Sequence, residues 1–117
     1  MVKRILIVDD SSMMRHMIRD VLEKEGYDIV GVAKNGEEGV ALYKTLKPDV
    51  VTMDVTMRVM DGFTATQNIL ALDGNAKIIF VSNLDEKKYR KDALKSGALG
   101  YVSKQRVKEI IEIIKRF

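Results

Sequence analysis

The chain has 117 residues, of which 46% are hydrophobic and 32% charged, a balance typical of one globular domain with a substantial core. Cysteine is absent, which excludes disulfides and thiolate metal sites, and no apolar stretch is long enough to span a bilayer. The net charge of +3 is too small to indicate nucleic-acid binding, so we expect one cytoplasmic domain over residues 1–117 without direct nucleic-acid or membrane contacts.

Strands and helices are predicted to alternate along the whole chain. The strands fall near residues 3–9, 28–33, 49–54, 77–82 and 99–103, and the helices near 12–25, 36–46, 63–72, 86–96 and 106–116. Short continuous apolar runs, such as residues 5–8, are typical of strands that are buried on both faces. Their alternation with helices predicts a doubly wound α/β fold with five parallel strands and five helices.

Small residues mark several predicted helix ends. Ser11 and Ser12 offer N-caps for the first helix. Gly26 and Gly97 follow the first and fourth helices, in the position where glycine commonly ends a helix. Gly39 lies within the second helix, where it costs about 1 kcal/mol relative to alanine. The sequence offers no reason for that glycine.

Reactive residues stand at the ends of four of the predicted strands. Asp9 and Asp10 follow the first strand, and Asp54 ends the third. Ser82 ends the fourth strand, and Lys104 follows the fifth. The carboxyl ends of parallel strands share one edge of the sheet, where ligands of open α/β sheets bind. Three carboxylates, a hydroxyl and an ammonium group are therefore predicted to line one cleft.

This set of groups suits a divalent metal and a phosphoryl group. Adjacent carboxylates repel each other unless a cation is present, and Mg²⁺ prefers oxygen ligands of this kind. Asp54 could act as a nucleophile and form an aspartyl-phosphate. A metal held by Asp10 and Asp54 would neutralise one phosphoryl oxygen, while Lys104 and Ser82 would contact the others.

The same segments resemble the receiver domain of two-component response regulators over the whole chain. The motifs are IVDDSS at residues 7–12, VTMD at 51–54, MDG at 60–62, VS at 81–82 and VSK at 102–104. The chain looks most like the single-domain chemotaxis regulators of the CheY type. That resemblance implies a flavodoxin-like, CheY-like sheet with strand order 2-1-3-4-5.

The resemblance also implies a partner, a cofactor and a reaction. A sensor histidine kinase would transfer a phosphoryl group to Asp54. Mg²⁺ would be held by Asp10, Asp54 and the carbonyl of Thr56, with Asp9 acting through water. The chain would then be a phosphoacceptor that assists its own phosphoryl transfer and hydrolysis, and not an enzyme in the ordinary sense.

By the same resemblance, phosphorylation changes a surface. Lys104 and Ser82 would bind the phosphoryl group, and Tyr101 would be an aromatic switch residue that moves inward with Ser82. The change would reach the surface of helix 4, strand 5 and helix 5, which binds a downstream protein. We expect this output face to contain Tyr101, Lys88, Lys91, Ile113 and Phe117, and the protein to be a monomer or weak dimer.

Two positions depart from the family pattern. Arg58 stands four residues after Asp54, where the family usually has proline. Gln105 follows Lys104, where the family usually has a proline whose peptide bond is often cis. Because cis bonds are rare without proline, we expect a trans peptide and a differently shaped loop after Lys104. Neither departure removes a reacting group.

Three alternatives remain at this point. The chain could be the receiver half of a longer DNA-binding transcription factor, although no helix-turn-helix follows the last predicted helix. It could be a phosphatase with an aspartate nucleophile, but such hydrolases carry a second aspartate two residues after the first, where this chain has Ser11. It could bind flavin phosphate, but Asp9 and Asp10 would repel that anion in the absence of a metal.

Overall fold

A computed structural model of the chain describes residues 2–83 and 86–116. The strands are β1 Arg4–Val8, β2 Asp28–Ala33, β3 Val50–Met53, β4 Ile78–Ser82 and β5 Gly100–Ser103. The helices are α1 Ser12–Lys24, α2 Gly36–Leu46, α3 Gly62–Leu72, α4 Glu86–Lys95 and α5 Glu109–Ile114. None of these helices is long and apolar enough to cross a membrane.

The strands form one parallel sheet in the order β2-β1-β3-β4-β5, as predicted. One face packs against α1 and α5 through side chains that include Ile18 and Ile110. The other face packs against α2, α3 and α4 through side chains that include Tyr43, Ile69 and Ala93. The inner strands are therefore covered on both sides, which explains why their sequences are continuously apolar.

Polar side chains set the first turns of three helices. Ser11 accepts a hydrogen bond from the N–H of Met14 and caps α1. Asn35 caps α2 and Asp61 caps α3 in the same way. The predicted cap at Ser11 is confirmed, and these caps satisfy N–H groups that have no partner within the helix.

The glycine within α2 has a packing role. A Cβ atom on Gly39 would lie 3.0 Å from both Cγ atoms of Val8 in β1. The helix therefore sits so close to the sheet that a larger residue would require Val8 to shift by a few tenths of an ångström, a close approach that offsets the poor helix propensity of glycine. The two residues are 31 positions apart in the chain, so the sequence alone could not reveal the contact.

The last helix is shorter than the predicted range of 106–116. The N–H groups of Glu109 and Ile110 bond to carbonyls three residues earlier, on Arg106 and Val107, which is the pattern of a tighter turn. Lys108 precedes α5 and makes no side-chain cap. The predicted start was wrong because no capping residue stands there, although the apolar stripe of the helix is buried as expected.

Candidate functional site

The sheet register brings the strand-end residues to one edge. Val8 pairs with Met53, so Asp9 and Asp54 leave the sheet side by side. The N–H of Asp54 also donates to the carbonyl of Val8 at 2.9 Å. On the other side, the N–H of Lys104 donates to the carbonyl of Ser82 at 3.0 Å. These backbone bonds hold the residues at the positions that the sequence predicted.

Three carboxylates form a cluster at this edge. One oxygen from each of Asp9, Asp10 and Asp54 lies within 4.8 Å of the others. Asp9 and Asp54 are 1% and 4% exposed, whereas Asp10 faces solvent. Two buried acids beside a third one are costly unless cations compensate them, which makes this cluster a candidate cation site.

Lys104 is shared between the two buried acids. Its Nζ lies 3.1 Å from Asp9 Oδ2 and 3.3 Å from Asp54 Oδ2, and its side chain is only 10% exposed. Desolvation lowers the pKa of Lys104, but the charges of Asp54 and Asp9 outweigh that effect and raise it. Lys104 therefore stays charged, yet one ammonium group must compensate two carboxylates.

The crowded, buried environment changes the pKa of Asp54. Burial, followed by the charge of Asp9, raises the pKa of Asp54 to about 7, despite the opposing effect of Lys104. A strongly perturbed acid in a cleft is a candidate functional group. Here the perturbation has a structural cause, since the carboxylate ends an apolar strand, where it is buried beside Asp9.

The other predicted residues are placed as follows. Ser82 is 2% exposed at the end of β4, beside Lys104. Thr56 lies in the loop after Asp54, with its side chain exposed. Tyr101 is fully buried, with its ring 6.5 Å from that of Phe80, so it lies beneath the expected output face and does not form part of its surface. Phe117 lies outside the described residues.

The loop between β3 and α3 is tightly constrained. The N–H of Met60 donates to the carbonyl of Arg58 at 2.8 Å across Val59, whose φ is +72°. This is a γ-turn of the rare, strained kind, and it has a β-branched residue at its centre. A Cβ atom on Gly62 would lie 2.0 Å from the carbonyl oxygen of Asp54, so the loop can close only over glycine. Backbone sterics thus set the rim of the cleft.

The two residues that depart from the family pattern, Arg58 and Gln105, affect the structure only locally. Arg58 is exposed and lines a cleft of about 520 Å³ together with Asp10 and Lys34. No cis peptide bond occurs among residues 2–83 and 86–116, so the bond between Lys104 and Gln105 is trans, as expected. Lys104 still reaches both carboxylates, so the proline is not needed to bring it into the cleft.

One residue at the site was missed by the sequence analysis. Arg15, in the first turn of α1, donates from Nη1 to the carbonyl oxygen of Asp9 at 2.8 Å. Its position on a helix gave no sign that the side chain turns back over the preceding loop. The only available signal was a cation close to a helix N-terminus, where negative charge is usually preferred.

The fold and this site define the class of protein. The response regulator receiver domain family matches residues 5–115, which is nearly the whole chain. The chain therefore belongs to the response regulator receiver domains of two-component systems. Receivers of this kind are phosphoacceptor signalling proteins and not classical enzymes.

Its relatives narrow the class further. The chain is 47% identical to the chemotaxis protein CheY of Thermotoga maritima over 102 residues, which cover 87% of this chain and 85% of that protein. It is 45% identical to CheY of Bacillus subtilis over 104 residues, covering 89% and 87% respectively. These similarities support a chemotaxis-type, CheY-like response regulator.

Solved structures agree with the fold. A CheX–CheY–BeF3–Mg²⁺ complex from Borrelia burgdorferi matches with a TM-score of 0.89 at 32% identity, covering 97% of this chain and 87% of that chain. The response regulator domain of Thermotoga maritima CheB gives a TM-score of 0.91 at 32% identity, covering 99% and 96%. The predicted CheY-like fold class is confirmed.

Proposed function

We propose that Asp54 accepts a phosphoryl group from a sensor histidine kinase. The observation that carries the proposal is the shared Lys104, whose Nζ lies 3.1 Å from Asp9 and 3.3 Å from Asp54 at the carboxyl edge of the sheet. A buried carboxylate beside a fixed ammonium group and two further acids suits attack on phosphorus better than any structural role. An ordinary turn after a strand requires none of these groups.

The transfer itself needs little covalent chemistry from the protein. An oxygen of Asp54 forms a bond to phosphorus while the phosphorus–nitrogen bond of the donor histidine breaks, and its electron pair stays on the imidazole nitrogen. Lys104 is placed to pair with a phosphoryl oxygen, and the Ser82 hydroxyl to donate to another. Positioning and neutralisation of charge are the main requirements of such a reaction.

The acidic cluster fits a magnesium ion. Among residues 2–83 and 86–116, the buried Asp9 Oδ2 has no polar partner besides the Lys104 ammonium at 3.1 Å, and hard carboxylate oxygens are the ligands that Mg²⁺ prefers. Asp10, Asp54 and the Thr56 carbonyl would hold the ion, with Asp9 acting through water. When bound, Mg²⁺ supplies positive charge that offsets the phosphoryl oxygens and the crowded acids.

Phosphate mapping tests the acceptor. Incubation with Mg²⁺ and a small phosphodonor should place a phosphoryl group on Asp54, located by mass spectrometry. Asp54→Asn should abolish the label, and a chelator should prevent it in the unaltered protein. A label that survives either treatment would refute the proposal.

We further propose that the signal leaves through the face formed by α4, β5 and α5. A groove of about 440 Å³ lies there, and its lining includes Arg90, Leu94, Leu99, Glu109 and Ile113. Leu94 and Leu99 are 49% and 40% exposed, so the face offers apolar surface for a downstream protein. Lys88 and Lys91 are exposed on α4 and would favour an acidic partner.

NMR can test whether the site reaches this face. Beryllofluoride, which mimics the phosphoryl group, should shift amide signals of Leu94, Leu99 and Ile113 as well as those around Asp54. The same additions to Asp54→Asn provide the control and should produce no shifts. Shifts restricted to the cleft would show that no switch reaches α4, β5 and α5.

The remaining elements of the proposal concern context. Residues 1–117 would act as one cytoplasmic receiver domain that binds neither nucleic acid nor membrane and is a monomer or weak dimer. The similarity to CheY proteins favours a protein-binding output over a DNA-binding one. Steady turnover of an aryl phosphate would instead favour the phosphatase alternative.

A further inference from the structure

Arg15 makes a contact that helix formation does not require. It lies in the first turn of α1, and its Nη1 donates to the Asp9 carbonyl at 2.8 Å, spanning the turn between β1 and α1. The N-terminal end of a helix carries partial positive charge, so a cation there costs a few tenths of a kcal/mol to about 1 kcal/mol. The first turn of α1 contains no acid that would offset this cost. The position of Arg15 therefore needs another explanation.

The bond completes the immobilisation of Asp9. The N–H of Asp9 donates to Ala33 at 3.0 Å, and its Oδ1 accepts from the N–H of Ser11 at 2.9 Å. Lys104 Nζ lies 3.1 Å from its Oδ2. Arg15 holds the one backbone group that these contacts leave, the carbonyl. Four different segments thus fix a single residue.

Fixing the Asp9 carbonyl also fixes the next residue. A peptide unit is planar, so the direction of the Asp9 C=O sets the direction of the Asp10 N–H and the position of the Asp10 Cα. The Asp10 carboxylate is exposed and accepts no hydrogen bond within residues 2–83 and 86–116. Together with the Ser11 N–H bond to Asp9 Oδ1, the peptide held by Arg15 consequently constrains where Asp10 points.

We propose that Arg15 is a positioning residue of the metal site, which acts through the Asp9–Asp10 peptide to present Asp10 to Mg²⁺. This inference rests on the proposed function of the acidic cluster. Without the guanidinium, the peptide could rotate. Metal binding would then have to order it again, and this entropic cost would weaken the affinity for Mg²⁺.

The proposal makes a prediction whose sign separates it from simple electrostatics. Arg15 carries a positive charge near an acidic cluster, so its charge alone opposes the binding of a cation. If charge dominated, removing Arg15 would tighten Mg²⁺ binding. If positioning dominates, the same change weakens it.

The test is a titration with Mg²⁺ alone, without a phosphodonor, followed by NMR on the full chain. Arg15→Met keeps the apolar stem but removes the donors, and Arg15→Lys keeps a charge and one possible donor. Arg19→Met is the matched control, since Arg19 lies one turn further along α1 and pairs only loosely with Glu23 at 4.0 Å. Urea unfolding of each variant checks that the fold is retained.

We expect Arg15→Met to weaken Mg²⁺ binding about tenfold, as for loss of one charge-assisted hydrogen bond. Arg15→Lys should recover part of the affinity, and Arg19→Met should bind as the unaltered protein does. Equal or tighter binding by Arg15→Met would overturn the assignment, and so would an equal loss in Arg19→Met. Failure to label Asp54 while Mg²⁺ binding responds as expected would overturn the proposed function alone.

Discussion

The two ends of the sheet pair their charged residues in different ways. At the amino end, the N–H of Arg4 donates to Asp49 Oδ2 at 2.8 Å. Its guanidinium donates to the carbonyls of Lys47 and Leu46, the last of α2, at 2.9 and 2.8 Å. A cation at a helix C-terminus is favoured by the helix dipole, so this arrangement stabilises both the strand and the helix.

A second pair of polar groups lies at the amino end. The Tyr43 hydroxyl donates to Asp73 Oδ2 at 2.8 Å, and the N–H of Asn75 donates to Asp73 Oδ1 at 3.0 Å. Burial, followed by the hydrogen bond to Asp73, raises the pKa of Tyr43. The Tyr43 and Asn75 hydrogen bonds lower the pKa of Asp73. Each group is held in its ordinary charge state.

The carboxyl end lacks this balance. Lys104 compensates both Asp9 and Asp54, and burial raises the pKa of Asp54 to about 7. Beside them, Val59 is held at a φ of +72°. Charge is crowded and backbone is strained at the carboxyl end, whereas these polar groups at the amino end are hydrogen-bonded. The contrast indicates that stability is reduced at the candidate functional site.

The largest expected effect is on the free energy of unfolding, because ionising Asp54 is costly in the folded protein. A raised pKa means that the folded state holds its proton more tightly, so stability falls as the pH rises from about 4 to about 7 and is level above that. In EDTA, Asp54→Asn should therefore raise the free energy of unfolding by about 2 kcal/mol at pH 8, and by about a third of that at pH 5. Urea unfolding at both pH values measures this difference.

The amino end supplies the control for that measurement. Asp49→Asn removes a charge that accepts a hydrogen bond from Arg4, and should lower stability at pH 8. A gain from both substitutions would show that general charge reduction, and not crowding at one end, explains the result.

The next largest effect should be a decrease in the free energy of unfolding, at the amino end of the sheet. Arg4→Met removes donors from two helix-terminal carbonyls and should lower the free energy of unfolding by about 1.5 kcal/mol. Arg58→Met at the carboxyl end removes an exposed arginine and should change it by less than about 0.5 kcal/mol. Similar losses from both substitutions would remove the distinction between the two ends.

The smallest effect concerns the strained turn. Val59→Asn should raise the free energy of unfolding by about 1 kcal/mol, because asparagine tolerates a positive φ far better than a β-branched residue. Val2 is 60% exposed, close to the 73% of Val59, and lies outside the strained turn. Val2→Asn is thus a suitable control, and a gain of the same size there would show that replacing an exposed apolar side chain, and not relief of backbone strain, causes the effect.

The sequence by itself determined the parallel sheet, its helices and the residues at the edge of the cleft. Each of these depends on local signals: continuous apolar strands, periodic helices, and reactive residues placed directly after strands. Asp9, Asp54, Ser82 and Lys104 could be grouped because parallel strands necessarily end at a common edge. Their family resemblance then supplied the expected chemistry.

Only the tertiary structure decided the features that depend on contacts between distant segments. Val8 explains Gly39, burial and the charge of Asp9 explain the raised pKa of Asp54, and Tyr101 is buried beneath the output face. Arg15 belongs to the site only because its side chain turns back to Asp9. Side-chain direction and the spacing of packed elements arise from three-dimensional packing, which residue order alone does not specify.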